Sequence, residues 1–174
     1  MHDLSVKHSG LVTWIHVCLF AIFLTPLVFY QGYFFGYVSL KLYFFLGMTE
    51  VLFVSFVWLL VSQPQWRPRF TGIGFSFFAL VSVFLFSSLI GVNPFVSFFG
   101  DAGRDANALV WIHLGMLFFV FSGMMRSRID WERMCWVIVC VGGITALIHL
   151  LHVLGLNLIM STKNGSTLGN SSFF

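Results

Sequence analysis

A small set of ionisable side chains interrupts the long apolar stretches of this chain, and these side chains are its candidates for chemistry. Glu50 lies inside one apolar stretch and His113 inside another. His149 and His152 are three residues apart, so they share one face of a helix. Arg104 follows a glycine-containing segment. Such groups can bind a proton, hydrogen-bond across helices, or hold an anionic substrate.

Glu50 stands nine residues into its apolar stretch, which puts it about 14 Å from the start of that stretch if the segment is helical. An ionisable group so deep in a bilayer costs ~3 kcal/mol or more unless it faces a partner or water. The residue is therefore either a proton or substrate site, or a structural hydrogen bond to another helix with its carboxyl group protonated. Because the sequence offers no matched base for this acid, it favours the structural interpretation.

The histidines His113, His149 and His152 lie in the outward halves of their stretches. A metal site needs a third ligand at a suitable spacing, and none is found, so we expect no metal and no cofactor. We expect these residues to bond across a helix bundle or to line a wet cavity.

The segment from Gly91 to Asp105, GVNPFVSFFGDAGRD, combines a turn with a possible anion site. Asn93 and Pro94 predict a turn because proline fixes its own backbone and restrains the residue before it. Arg104 could clamp a phosphate with its two-pronged guanidinium. An ordinary loop with a local Asp–Arg pair is the alternative, and the loop residues alone favour it.

The elements that position these groups are predicted to be membrane-spanning helices. Of 174 residues only 9% are charged and 59% are apolar, and about 20 consecutive apolar residues span a bilayer as a helix. The runs are too long for strands and lack their period-2 alternation, so we predict an all-α polytopic transmembrane bundle, a single membrane domain over residues 1–174. We expect Pro26 to kink the first span. The five predicted spans are 11–30, 42–62, 72–91, 107–125 and 135–158.

The distribution of basic residues predicts the orientation of these spans. Six of the Lys and Arg residues lie on one side of the predicted spans and three on the other. The side with six is expected to face the cytoplasm, together with the amino terminus. No basic patch suits a nucleic acid, so none is expected as a partner. The inner set is Lys7, Arg67, Arg69, Arg126, Arg128 and Arg133, and the outer set is Lys41, Arg104 and Lys163.

A new apolar run begins at the last residues, 171–174. We therefore expect this sequence to be a fragment of a larger bundle, cut at the start of a sixth span.

Several ordered segments together resemble the amino-terminal part of the O-antigen ligase family of bacterial membrane proteins, which is often described together with O-antigen polymerases and protein O-oligosaccharyltransferases. One segment starts with a lysine and has an acid at its middle. Another is similar to the family's GxNPxxSFWG…R element, and the last is similar to its GTLGNPN segment. The matching segments are Lys41–Trp58 (KLYFFLGMTEVLFVSFVW), Pro64–Arg69 (PQWRPR), Gly91–Arg104, His113 and Gly165–Asn170 (GSTLGN).

The resemblance implies a metal-independent glycosyltransferase of lipopolysaccharide or cell-envelope biosynthesis in the bacterial cytoplasmic membrane. It would transfer an oligosaccharide from a polyprenyl-diphosphate donor, with membrane lipids around it. The family's catalytic residues lie beyond this sequence, so no catalytic residue is assigned here. As substrate-binding residues we expect Arg104, Lys41 and Lys163, which are the outward cations, and His113, about two to three helical turns below Arg104.

Two other classes of protein stay open. A non-enzymatic multi-pass assembly partner would need no catalytic loop, and a transporter could use Glu50 and the outward histidines as an ion path. The sequence also leaves open the donor glycan, the oligomeric state, and whether the acceptor is a lipid core, a glycan or a protein.

Overall fold

The computed structural model describes residues 10–30, 38–68, 71–100 and 107–156, together with Thr167. All regular secondary structure in these ranges is helical, which confirms the predicted all-α bundle. The α-helices are α1 (Gly10–Ile22), α2 (Ser39–Ser62), α3 (Gly72–Leu89), α4 (Pro94–Phe99), α5 (Ala108–Met124) and α6 (Arg128–Val153).

Three of these helices, α2, α3 and α6, are long and apolar enough to cross a membrane, and α1 and α5 are shorter apolar helices. These five correspond to the five predicted spans. The bounds of α2, α3 and α5 lie within three residues of the predicted ones. The protein is accordingly a helical membrane protein, and its backbone polar groups are satisfied inside the helices as a bilayer requires.

The first span differs from its prediction, because the helix is broken rather than kinked near Pro26. Helix α1 ends at Ile22, and a 3-10 turn, Thr25–Leu27, follows. A proline has no N–H to donate to the carbonyl group four residues earlier, and its ring clashes with that group. Ile22 supplies this carbonyl oxygen, which accepts a hydrogen bond from the Thr25 hydroxyl at 2.5 Å instead.

The last helix begins seven residues before the predicted span 135–158 and ends five residues before its end. Ser127 and Asp130 form a capping box, which satisfies backbone donors at the start of α6. At the other end, Gly155 adopts φ +87° and donates to the His152 carbonyl oxygen, while Leu156 donates to that of Leu151. This is a Schellman motif, which glycine favours because it has no Cβ.

The predicted turn at Asn93–Pro94 is the start of a short helix. The Asn93 side chain accepts from the Val96 N–H at 3.3 Å, and Pro94 occupies the first helical position, where no N–H is needed. Helix α4 packs against α3 and α5.

Helix α2 is the centre of the bundle, since it packs against both α1 and α5, and α3 packs against α5. Association of helices in lipid depends on close packing and interhelical hydrogen bonds. Trp14 of α1 donates to the Ser55 hydroxyl of α2 at 3.3 Å, and Trp111 of α5 stacks on Phe84 of α3. The fully buried apolar side chains of this core are Ile15, Leu19, Leu52, Phe56, Leu59, Val120 and Met124.

Arg126 joins the end of α5 to the connection that follows α2. Its guanidinium donates to the carbonyl oxygens of Gly123 at 2.6 Å, Gln65 at 2.6 Å and Arg67 at 3.1 Å. It also lies over the ring of Trp66, 4.9 Å from the centroid. This clamp satisfies backbone acceptors left free at helix ends.

Candidate functional site

The structure brings Glu50 of α2 and His113 of α5 together. His113 Nε2 lies 3.3 Å from Glu50 Oε1, across 63 residues of sequence. Glu50 is the twelfth of the 24 residues of α2, so the contact lies near the middle of a predicted span. An ionisable residue there is thus given a partner on a neighbouring helix, which lowers the cost of keeping it in the membrane.

The second nitrogen of His113 fixes the tautomer of its ring. Nδ1 lies 2.7 Å from the carbonyl oxygen of Leu109, one turn earlier in α5. A carbonyl oxygen can only accept a hydrogen bond, so Nδ1 carries the proton. In neutral imidazole the other nitrogen, Nε2, is then an acceptor, and it faces the carboxyl group of Glu50.

The two side chains differ in their exposure. The His113 side chain is 4% exposed, whereas that of Glu50 is 66% exposed at the surface of the described bundle. Thr49, beside Glu50, is fully buried, and its hydroxyl has no hydrogen-bond partner in the described part of the chain. The pair therefore has a buried base and an accessible acid.

An apolar groove of about 300 Å³ runs between α2, α3 and α5 next to this pair. Phe53, one turn beyond Glu50, and Ile112, beside His113, line it together with Phe78 and Leu85. Such a groove can hold an alkyl or isoprenoid chain, but it offers almost no polar group to a headgroup.

A second contact joins the start of α2 to the far end of the sequence. Lys41 Nζ donates a hydrogen bond to the main-chain oxygen of Thr167, 126 residues away. Thr167 is fully buried. An ammonium group has three donors, so two remain on Lys41 for another acceptor.

Asn107 holds the end of the segment in which Arg104 lies. Its side-chain oxygen accepts from the Val110 N–H at 3.0 Å and caps α5, while its amide nitrogen donates to the Phe99 carbonyl oxygen at 3.1 Å. One side chain thus fixes the end of α4 against the start of α5. Arg104 and Lys163 themselves lie outside the described residues, so their predicted roles stay predictions.

His149 and His152 are half-buried residues of α6, and α6 packs against the 3-10 turn Thr25–Leu27. They are thus on a different helix from the Glu50–His113 pair. No three His, Cys, Asp or Glu side chains in the described ranges are grouped so that they could hold a metal ion.

His16, to which the sequence assigns no role, contacts the capping box of α6. Its Nε2 lies 3.9 Å from Asp130 Oδ1, and its Nδ1 lies 2.9 Å from the Val12 carbonyl oxygen. This contact links α1 to the start of α6, and we interpret its role as structural.

The pairing of Glu50 with His113 is the feature that sequence reasoning missed. The available signal was their depth: both lie inside spans that the charge distribution predicts to run in the same direction. Glu50 is nine residues past Lys41 and His113 six residues past Asn107, which places them within about one helical turn of one another in depth.

No protein-family model, curated protein or solved structure matches this chain.

Proposed function

We propose that this chain is the amino-terminal part of a bacterial membrane glycan ligase or polymerase. It would transfer an oligosaccharide from a polyprenyl-diphosphate donor at the outer face of the cytoplasmic membrane, with its own amino terminus in the cytoplasm. The new bond joins an acceptor oxygen to the anomeric carbon of the donor sugar, and the proton of the acceptor hydroxyl group passes to a general base. The bond that breaks is the one from that carbon to the diphosphate, which leaves with the electron pair.

The observation that carries this proposal is the hydrogen bond between Lys41 and Thr167. These two residues belong to separate segments, Lys41–Trp58 and Gly165–Asn170, that each resemble a segment of the O-antigen ligase family. The Glu50–His113 contact supports it in the same way, since both residues lie in matching segments. Contacts between matching segments are expected if their order reflects one common arrangement.

The chemistry of the proposed donor fits the groups available. Under the orientation predicted from the basic residues, Lys41 lies at the outer end of α2. A cation there stabilises negative charge that develops on a leaving diphosphate. The apolar groove between α2, α3 and α5 offers room for part of an isoprenoid chain. No metal is needed for either role.

Binding of the donor to variants of the full-length protein tests this proposal. Lys41→Ala removes a charge-assisted hydrogen bond worth about 1.5–3 kcal/mol, so we expect donor affinity to fall by at least about tenfold. Lys41→Arg keeps the charge and is expected to retain most of the affinity. Tyr43→Phe, on the same turn region of α2, is the matched control. Equal donor affinity in Lys41→Ala and Tyr43→Phe, with both variants folded, would contradict the proposal.

The Glu50–His113 contact also favours a second candidate, a proton-coupled transporter. An intramembrane acid beside a base is typical of proton paths in transporters. Purified protein in liposomes separates the two functions, because proton or solute flux that is lost in Glu50→Gln supports transport and argues against the ligase.

A further inference from the structure

We propose that Glu50 and His113 form a proton-binding site in the interior of the membrane. The Glu50 carboxyl group carries the proton and donates a hydrogen bond to Nε2 of a neutral His113. The proposal is independent of glycan transfer. The ligand of this site is a proton, which leaves Glu50 protonated and His113 neutral.

The hydrogen-bonding geometry of His113 favours a protonated Glu50 carboxyl group. Since Nδ1 donates to the Leu109 carbonyl oxygen at 2.7 Å, a neutral His113 presents a bare acceptor at Nε2. The group facing this acceptor, 3.3 Å away, is the Glu50 carboxyl group. An ionised carboxylate only accepts hydrogen bonds, so two acceptors would face each other without a proton. A protonated Glu50 supplies the missing donor.

The position of the pair in the membrane excludes the competing charge states. Without the proton the pair carries one negative charge, and with a second proton it carries one positive charge. Both charged states are costly at the middle of a span. A carboxylate beside an imidazolium has no net charge, but both ions must then be desolvated, and such pairs regain this cost only with further hydrogen bonds. The neutral acid and the neutral base avoid this cost.

Few other charges act on the pair from the helices packed around it. Helix α1 contributes His16, which contacts Asp130, and Cys18. Helices α3 and α4 contain no ionisable side chain, and α5 contains only His113. The remaining groups of α2 are Tyr43 and Lys41, and Lys41 is nine residues, or about 14 Å, from Glu50 along the helix.

The two side chains of the pair differ in their exposure. His113 is closed off in the bundle, whereas two thirds of the Glu50 side chain is exposed at the surface of the described helices. A proton can therefore reach the pair at Glu50, because His113 is enclosed by the described helices.

Infrared spectroscopy of the protein in lipid nanodiscs, with 13C in the glutamate carboxyl groups, tests this assignment. The sequence has two glutamates, Glu50 and Glu132, so the labelled signal is simple. We expect a C=O stretch of a protonated carboxyl group at neutral pH that is lost in Glu50→Gln and kept in Glu132→Gln, the exposed control. Glutamine can also donate to Nε2, so Glu50→Gln is expected to fold.

His113→Leu provides a second readout on the same band. Without its nitrogen acceptor, the protonated carboxyl group of Glu50 forms a weaker hydrogen bond, and its C=O stretch is expected to shift to higher frequency. A purely structural role for His113 would leave the band unmoved. Nitrogen NMR of His113 in the wild type completes the assignment, with a proton expected on Nδ1 and none on Nε2. An ionised Glu50 in the wild type at neutral pH, beside either a neutral or a charged His113, would overturn the proposal.

Discussion

Single residues carry the contacts between distant parts of this sequence. Lys41 reaches a main-chain oxygen of residue 167, and His113 reaches a carboxyl group on another helix. Because the acceptor of Lys41 belongs to the backbone, the contact depends on the lysine and on the path of the chain rather than on the threonine side chain. The Thr167 hydroxyl is itself buried without a partner in the described part of the chain.

At the residue scale, the prediction that depends most directly on the proposed substrate concerns Arg104. Arg104→Ala in the full-length protein is expected to weaken donor binding or slow glycan transfer by at least about tenfold, because a guanidinium forms two charge-assisted hydrogen bonds with a phosphate. A ligation assay with a polyprenyl-diphosphate glycan measures both. The assignment fails if donor affinity and turnover are both unchanged.

At the scale of elements, α2 and α5 meet so closely that Gly123 cannot carry a side chain without rearrangement. A Cβ at this position would lie 2.9 Å from Phe56 Cε2 and 3.0 Å from the Trp66 carbonyl oxygen. The second of these is a backbone atom and cannot rotate away. We therefore expect Gly123→Ala to destabilise the bundle by about 1–3 kcal/mol through overpacking.

Gly47→Ala is the matched control for this substitution. Gly47 lies in α2, and no side chain or neighbouring helix in the described ranges comes within 4 Å of the place that a Cβ would occupy. Alanine there should be neutral or raise stability by up to about 1 kcal/mol through its helix propensity. Thermal unfolding in detergent compares the two variants. Equal midpoints for Gly123→Ala and the wild type would contradict the close approach of α2 and α5.

The Arg126 clamp is a second prediction at this scale. Arg126→Lys keeps the charge but cannot reach three carbonyl oxygens in one plane, so we expect a loss of about 1–3 kcal/mol. Limited proteolysis of the connection between α2 and α3 should become faster as well. Arg128→Lys is the control, because Arg128 is 91% exposed and its pair with Glu132 contributes less than about 1 kcal/mol. Similar effects of the two substitutions would argue against the clamp.

The sequence predicts elements better than it predicts their ends and contacts. Apolar length alone locates α2, α3 and α5, because a bilayer demands that length. Apolar length predicts the wrong end for α1. Hydropathy takes no account of the N–H that Pro26 lacks, so the Ile22 carbonyl oxygen has no helical donor. Apolar length misplaces the start of α6 because Ser127 and Asp130 start the helix in a charged segment that hydropathy excludes. The Glu50–His113 contact depends on how α2 and α5 rotate against each other, which no single apolar stretch specifies.

At the scale of the whole molecule, the described helices are organised around the α1–α2–α5 core, with α3 and α6 at its periphery. In the most apolar 18-residue stretch of α3 and of α6, only 11% of the residues are buried inside the bundle, compared with 22% in α2. Exposed apolar side chains lie along both helices, among them Phe75 and Phe86 of α3 and Trp136 and Val139 of α6. Such surfaces suit contact with lipid chains and would be costly in water.

Orientation in the membrane gives the prediction at this scale. A Gln65→Cys variant, in the connection after α2, should react with a membrane-impermeant thiol reagent from the cytoplasmic side alone. A Val92→Cys variant, between α3 and α4, should react from the outer side alone. Both are made in a chain whose natural cysteines, Cys18, Cys135 and Cys140, are replaced. The opposite pattern would reverse the orientation and remove Lys41 from the face where the donor is proposed to bind.

The most direct test of the proposed function is glycan transfer by the purified full-length protein in liposomes. The donor is a labelled polyprenyl-diphosphate oligosaccharide, and lipid-core, glycan and peptide acceptors are supplied in turn without added metal. We predict that label appears on one acceptor, that polyprenyl diphosphate is released in equal amount, and that Lys41→Ala lowers the rate. A folded protein that transfers no label to any acceptor and instead carries protons across the liposome membrane through Glu50 would contradict the account.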